Sequence, residues 1–161
     1  MTTSGPAPEK LHLHTLTNKN GIILKILNFG ATIYSLEIPD KDGKLRNVVV
    51  TPKHLKDFTS EEYLEQNPCF GASVGRYAGR ITEGKFLLNG KLYQLYEKNG
   101  VHLHGGFRGF QYRLWKVIET NSDTNSISLS YFSEDGEEDY PGNLAVTVTY
   151  TLTEENELQI S

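Results

Sequence analysis

Sulfur is scarce in this chain: its 161 residues include one cysteine and one methionine. Cys69 has no second cysteine with which to close an internal disulfide, so a reducing, cytoplasmic location is expected. Pro68 and Phe70 flank it and no cation adjoins it, which suits a buried bystander better than a nucleophile. Long apolar runs are also missing. None approaches the ~20 residues of a membrane helix, so no membrane partner is expected. Sixteen basic residues against twenty acidic ones give a formal net charge of -4, without a lysine and arginine block. No nucleic-acid partner is expected from that balance. The opening stretch Met1 to Pro8 has neither the basic nor the apolar segment of a signal peptide. Residues 1–10 are expected to form a flexible tail ahead of a folded region over 11–161.

Helical patterning is nearly absent as well. Only 52–66, with Leu55, Phe58 and Leu64, offers a thin apolar stripe at helical spacing. Elsewhere the period is two. Residues 11–16 alternate, 21–27 form an isoleucine-rich run, and 32–38 alternate up to Pro39 and the turn Asp40-Lys41-Asp42-Gly43. Asn89-Gly90 lies between two short apolar stretches and predicts a type I′ hairpin joining strands at 85–88 and 91–95. Leu144, Val146, Val148, Tyr150 and Leu152 fall on one face of a predicted half-buried antiparallel strand. An all-β sandwich follows. The segment 157–161 reads as a fresh, unpaired strand with an open edge, a place for association with another chain or with a missing C-terminal half.

Several motifs point to chemistry and then fail a test. Residues 79–85 have the glycine and lysine spacing of a phosphate loop, but Phe86 stands where a magnesium-binding hydroxyl is needed. His102 and His104 have the spacing of two ligands on one strand face, yet no third ligand declares itself, so no metal is expected. The acidic run Glu134 to Asp139 lacks the alternating oxygen ligands of a calcium loop and reads as a solvated turn.

Two segments remain. In Gly75-Arg76-Tyr77-Ala78-Gly79-Arg80-Ile81, guanidinium groups stand between glycines, where the backbone leaves room for a flat, permanently charged donor. In Leu103-His104-Gly105-Gly106, an imidazole stands beside two residues without side chains. Arg80 and His104 suit a hydroxyl-rich ligand and are not evident nucleophiles. Two lesser readings stay open: a structural Arg80 held in an ion pair and a core His104 satisfied by backbone. Phe107, Phe110, Tyr112 and Trp115 are core or pocket wall.

These segments resemble the aldose 1-epimerases, or galactose mutarotases, and do so in that family's order. The matching stretches are Asn28-Phe29-Gly30-Ala31, Gly75 to Ile81, Leu103 to Gly106, Arg108-Gly109-Phe110, Trp115, and Gly136-Glu137-Glu138 through Tyr140-Pro141-Gly142. The resemblance implies a large antiparallel β-sandwich, galactose mutarotase-like, of which 11–161 is the N-terminal portion. It implies interconversion of the α and β anomers of a hexose such as glucose or galactose, with a monosaccharide as partner and no cofactor. Gly79, Arg80 and His104 would be the sugar-binding residues. The family's acid and base, a second histidine and a glutamate, would lie beyond this chain, which by itself holds no catalytic residue and would be inactive. Where many members carry asparagine before the arginine this chain has Gly79, so a side-chain amide contact is lost; Asp139 replaces a common glycine. Two alternatives stay open: a noncatalytic carbohydrate-binding module and an epimerase of phosphorylated hexose.

Overall fold

The computed structural model describes residues 10–66 and 68–161. Apart from Lys10, the expected tail over 1–10 lies outside the described residues. The chain begins with β1 (Leu13–Thr17), β2 (Ile23–Leu27), β3 (Thr32–Pro39) and β4 (Leu45–Asn47), an antiparallel sheet in that order. The β3–β4 turn is fastened by Asp40, whose Oδ1 accepts the amides of Asp42 and Lys44, each at 2.9 Å. The helical stripe over 52–66 becomes a 3-10 turn at Leu55–Thr59 and a short helix α1 at Glu61–Gln66. Phe58 is its buried anchor, tilted against the Tyr34 and Tyr63 rings.

The middle of the chain holds two small pairs. β5 (Arg80–Thr82) runs antiparallel to β8 (Val101–Leu103), and between them in sequence β6 (Lys85–Leu88) pairs with β7 (Lys91–Gln94). The last four strands, β9 (Lys116–Asn121), β10 (Ser126–Ser133), β11 (Leu144–Leu152) and β12 (Leu158–Ile160), form a second antiparallel sheet in the order β12-β11-β10-β9.

The two four-stranded sheets share one core. Leu24 and Ile26 of β2 pack in the same cluster as Leu129 of β10 and Tyr150 and Leu152 of β11, with Trp115 beside them. Period-two alternation produces this: Val148, Tyr150 and Leu152 are buried, whereas Leu144 at the open end of β11 is exposed. Polar contacts then lock the layers. The Tyr150 hydroxyl donates to the Ala31 carbonyl at 2.5 Å, and Asn18 Nδ2 at the β1–β2 turn donates to Thr153 O and Asn156 Oδ1 at the β11–β12 turn. The all-β sandwich expected from the pattern is what forms.

One expectation needs correction. The terminal strand is not unpaired: β12 lies on β11 with Tyr150 opposite Ile160, and Ser161 and Thr149 exchange backbone hydrogen bonds. Its other edge has no neighbouring strand among the described residues.

The Asn89-Gly90 hairpin forms as expected, with φ of 51° and 78° at the two turn residues. A Cβ on Gly90 would meet nothing within 4 Å, so only the backbone conformation resists substitution there. Gly90→Val is expected to cost about 1–3 kcal/mol, read as a lower urea midpoint. An unchanged midpoint would remove this turn from the account.

Candidate sugar-binding site

The two glycine-rich segments meet backbone to backbone. Arg80 stands opposite Leu103 in the β5–β8 pair, and one step on, His104 N donates to Gly79 O at 2.9 Å. The contact is close because of the glycines: a Cβ on Gly105 would lie 1.5 Å from Gly75 O. Gly79 and His104, 25 residues apart in sequence, are thereby neighbours.

The structure separates the two arginines of the first segment. Arg76 is saturated: Nε donates to Ser133 Oγ at 2.9 Å, Nη1 to Pro141 O and Gly142 O, and Nη2 to Ser133 O and Glu134 O. All its donors serve the β10–β11 connection, and its guanidinium also lies 5.6 Å from the Tyr140 ring centroid. Arg80 is exposed and its side chain makes no hydrogen bond or ion pair among the described residues. The structural ion pair is therefore absent, and five donors are left for a ligand.

His104 is half-buried with φ of 48°, and its Nδ1 accepts the Gly79 amide at 3.1 Å. An accepting Nδ1 in a neutral imidazole puts the proton on Nε2. Nε2–H has no protein partner among the described residues. The imidazole is thus half satisfied by backbone, and its other half is a donor. Gly79 contributes this fixing amide, and the position where a side chain would stand is empty to 4 Å.

Arg80 also borders an open cleft of about 530 Å³, walled by Arg76, Tyr77, Ile81, Phe86 and Tyr140 among others. His104 is not among its lining residues. Tyr140 of the cleft wall bonds His102, which is fully buried between Tyr96 O at Nδ1 (2.7 Å) and the Tyr140 hydroxyl at Nε2 (2.6 Å). With Nδ1 facing a carbonyl, the proton is on Nδ1 and Tyr140 donates to Nε2. Burial pushes the Tyr140 phenol up to about 12. Both nitrogens of His102 are occupied, so the two-histidine metal spacing in the sequence has another cause. No group of three metal-ligating side chains occurs among the described residues.

Of the aromatic residues after the second segment, Phe110, Tyr112 and Trp115 are buried, while Phe107 is 60% exposed. Cys69 is half-buried, and burial lifts its thiol to about 11, which makes it a poor nucleophile. No helix among the described residues is long and apolar enough to cross a membrane.

The acidic run is the second correction. Glu134, Asp135 and Asp139 are exposed, but Glu137 and Glu138 turn inward. Glu137 accepts from the Tyr131 and Ser133 hydroxyls and pairs with Arg113 Nη2 at 2.9 Å. Burial, reinforced by that hydrogen bond to Glu137, raises the Tyr131 phenol. Charge count alone reads these five acidic positions as a solvated turn. The signal that separates two of them is Gly136, whose left-handed φ of 85° reverses the chain and aims the next carboxylates at the body of the fold.

The sequence model of the family described as Aldose 1-epimerase matches residues 12–161. This chain belongs to the aldose 1-epimerase family. It is 48% identical over 130 residues to galactose mutarotase of Sus scrofa, covering 79% of this chain and 35% of that protein. It is 36% identical over 157 residues to aldose 1-epimerase of Escherichia coli, covering 97% of this chain and 43% of that protein. The solved GalM/aldose epimerase homologue from C. elegans superposes with a TM-score of 0.83 at 31% identity, over 94% of this chain and 45% of its own. Galactose 1-epimerase from Lactobacillus acidophilus gives 0.81 at 30% identity, over 99% of this chain and 46% of its own. The chain thus spans less than half the length of these aldose epimerase relatives.

Proposed function

We propose that this chain is the sugar-gripping portion of an aldose 1-epimerase that interconverts the α and β anomers of a hexose such as glucose or galactose in the cytoplasm. The observation that carries the reading is the pairing of an arginine without protein partners with a histidine that offers Nε2–H, beside an arginine whose donors are all used. A charged donor bordering a cleft, with a polar donor on the adjoining segment, suits a ligand made of hydroxyls. The names of the relatives, galactose mutarotase and aldose 1-epimerase, agree with it.

The reaction needs a base to take the C1 hydroxyl proton and an acid to protonate the ring oxygen. The ring opens to an aldehyde, C1 rotates, and closure delivers the other anomer. Both transfers are general acid–base steps. In this reading Arg80 hydrogen-bonds sugar hydroxyls, the Gly79 amide holds the His104 ring, and His104 Nε2–H fixes the sugar. The acid and base are supplied by residues outside this chain, and no cofactor takes part. Association, with the rest of the protein or with another chain, takes place at the open edge of β12.

Arg80→Ala in the full-length protein is expected to remove a charge-assisted hydrogen bond worth ~1.5–3 kcal/mol, a roughly ten- to hundredfold loss of sugar affinity. Titration calorimetry with galactose and glucose measures it. Unchanged affinity for both sugars would take Arg80 out of the site.

A further inference from the structure

Glu138 is an unusual residue for a solvated turn. Its backbone is left-handed, with φ 49° and ψ 31°, and its side chain is 13% exposed. The carboxylate reaches the loop that begins at His104 and receives one amide on each oxygen: Phe107 N at 2.7 Å on Oε2 and Arg108 N at 2.9 Å on Oε1. Two parallel N–H donors on one carboxylate fix direction as well as distance. Arg113 Nη2 stands 3.8 Å from the same group and 2.9 Å from Glu137, so one guanidinium balances both carboxylates.

The loop is held from both sides. A Cβ on Gly106 would come within 2.3 Å of Glu138 Oε2, so only glycine lets the carboxylate reach its two amides. On the opposite side Gly105 rests against the Gly75 carbonyl, and Gln111 Nε2 donates to His104 O at 3.1 Å. His104 itself sits in a left-handed conformation that a non-glycine residue adopts only under constraint. The carboxylate clamp on 107–108 is three residues away from it.

We propose that Glu138 is a positioning residue for His104: by clamping the 105–108 loop it keeps the imidazole with Nδ1 on the Gly79 amide and Nε2–H open to a ligand. The contact of Nε2–H with sugar rests on the proposed function, whereas the orientation of the ring does not. In Glu138→Gln an amide NH2 faces one of the two backbone donors, so the clamp loses half of its acceptors. Gly106→Ala pushes the same contact apart from the loop side.

The test is nitrogen-15 NMR of histidine-labelled full-length protein, with His104 assigned by its loss in His104→Asn, alongside steady-state polarimetry on α-galactose. The wild type is expected to show a single Nε2–H tautomer at His104. Glu138→Gln and Gly106→Ala are expected to show mixed tautomers, with KM raised about tenfold and kcat within about twofold. Glu134→Gln, at an exposed position of the same turn, is the control and should match the wild type. A wild-type ring signature in a folded Glu138→Gln or Gly106→Ala protein overturns the proposal. So does failure of both variants to fold, which would make Glu138 a stabilising element of the sandwich. A changed ring signature with unchanged KM supports the clamp and instead removes His104 from the sugar site.

Discussion

Freshly dissolved α-galactose is expected to lose its optical rotation no faster with the 161-residue chain than in buffer alone, whereas the full-length protein is expected to accelerate the decay. The chemistry calls for a proton donor and a proton acceptor, each typically worth 10²–10⁴-fold in rate. Several candidate groups around the site are already engaged. His102 has both nitrogens bonded. Glu137 and Glu138 are committed to Arg113, two hydroxyls and two backbone amides. Tyr131 and Tyr140 are phenols raised by burial, poor acids near neutrality. His104 keeps one open nitrogen, which in the proposed site is a sugar contact. An acceleration by the chain alone that disappears in His104→Asn would show that His104 is the acid.

The second large effect concerns stability. Arg76→Ala is expected to lower the free energy of unfolding by about 2–5 kcal/mol, because two buried acceptors left unsatisfied cost ~1–3 kcal/mol each. These acceptors are Ser133 O and Oγ, on a residue that is fully buried. The carbonyls of Pro141 and Gly142 lose the same guanidinium. Arg76→Lys should rescue little, since an ammonium cannot present a planar fork to five acceptors. Arg80→Ala, with no protein partner to abandon, should stay within about 0.5 kcal/mol of the wild type. Urea denaturation of the three variants separates these outcomes. Equal midpoints for Arg76→Ala and Arg80→Ala would contradict the structural role given to Arg76.

That contrast also marks how far the sequence carries. Strand pairing was legible wherever apolar residues alternate over several positions, as in β11, or where a turn demands particular residues, as at Asn89-Gly90. The family was legible from six short stretches in order. The difference between Arg76 and Arg80 was not, because both stand beside glycines and their fates depend on carbonyls more than fifty residues away. The inward turn of Glu137 and Glu138 was hidden for the same reason: an exposed and a buried carboxylate have the same letter, and the partners that draw two of the five inward lie on β10 and in the 107–113 segment. His102 offered a metal-ligand spacing, and only its contacts with Tyr96 and Tyr140 reveal a buried link. The terminal strand was recognised as a strand but left unpaired, since a hairpin of three residues a side gives little period to read.

The central claim, that Arg80 and His104 grip a hexose whose anomers the whole protein interconverts, is tested most directly by polarimetry. The decay of optical rotation of freshly dissolved α-galactose and α-glucose is followed with the full-length protein, wild type and Arg80→Ala, at equal buffer and pH. The account predicts clear acceleration by the wild type with at least one of the two sugars, and a KM raised roughly ten- to hundredfold by Arg80→Ala. Decay at the buffer rate with both sugars, from a folded wild-type protein, would contradict it.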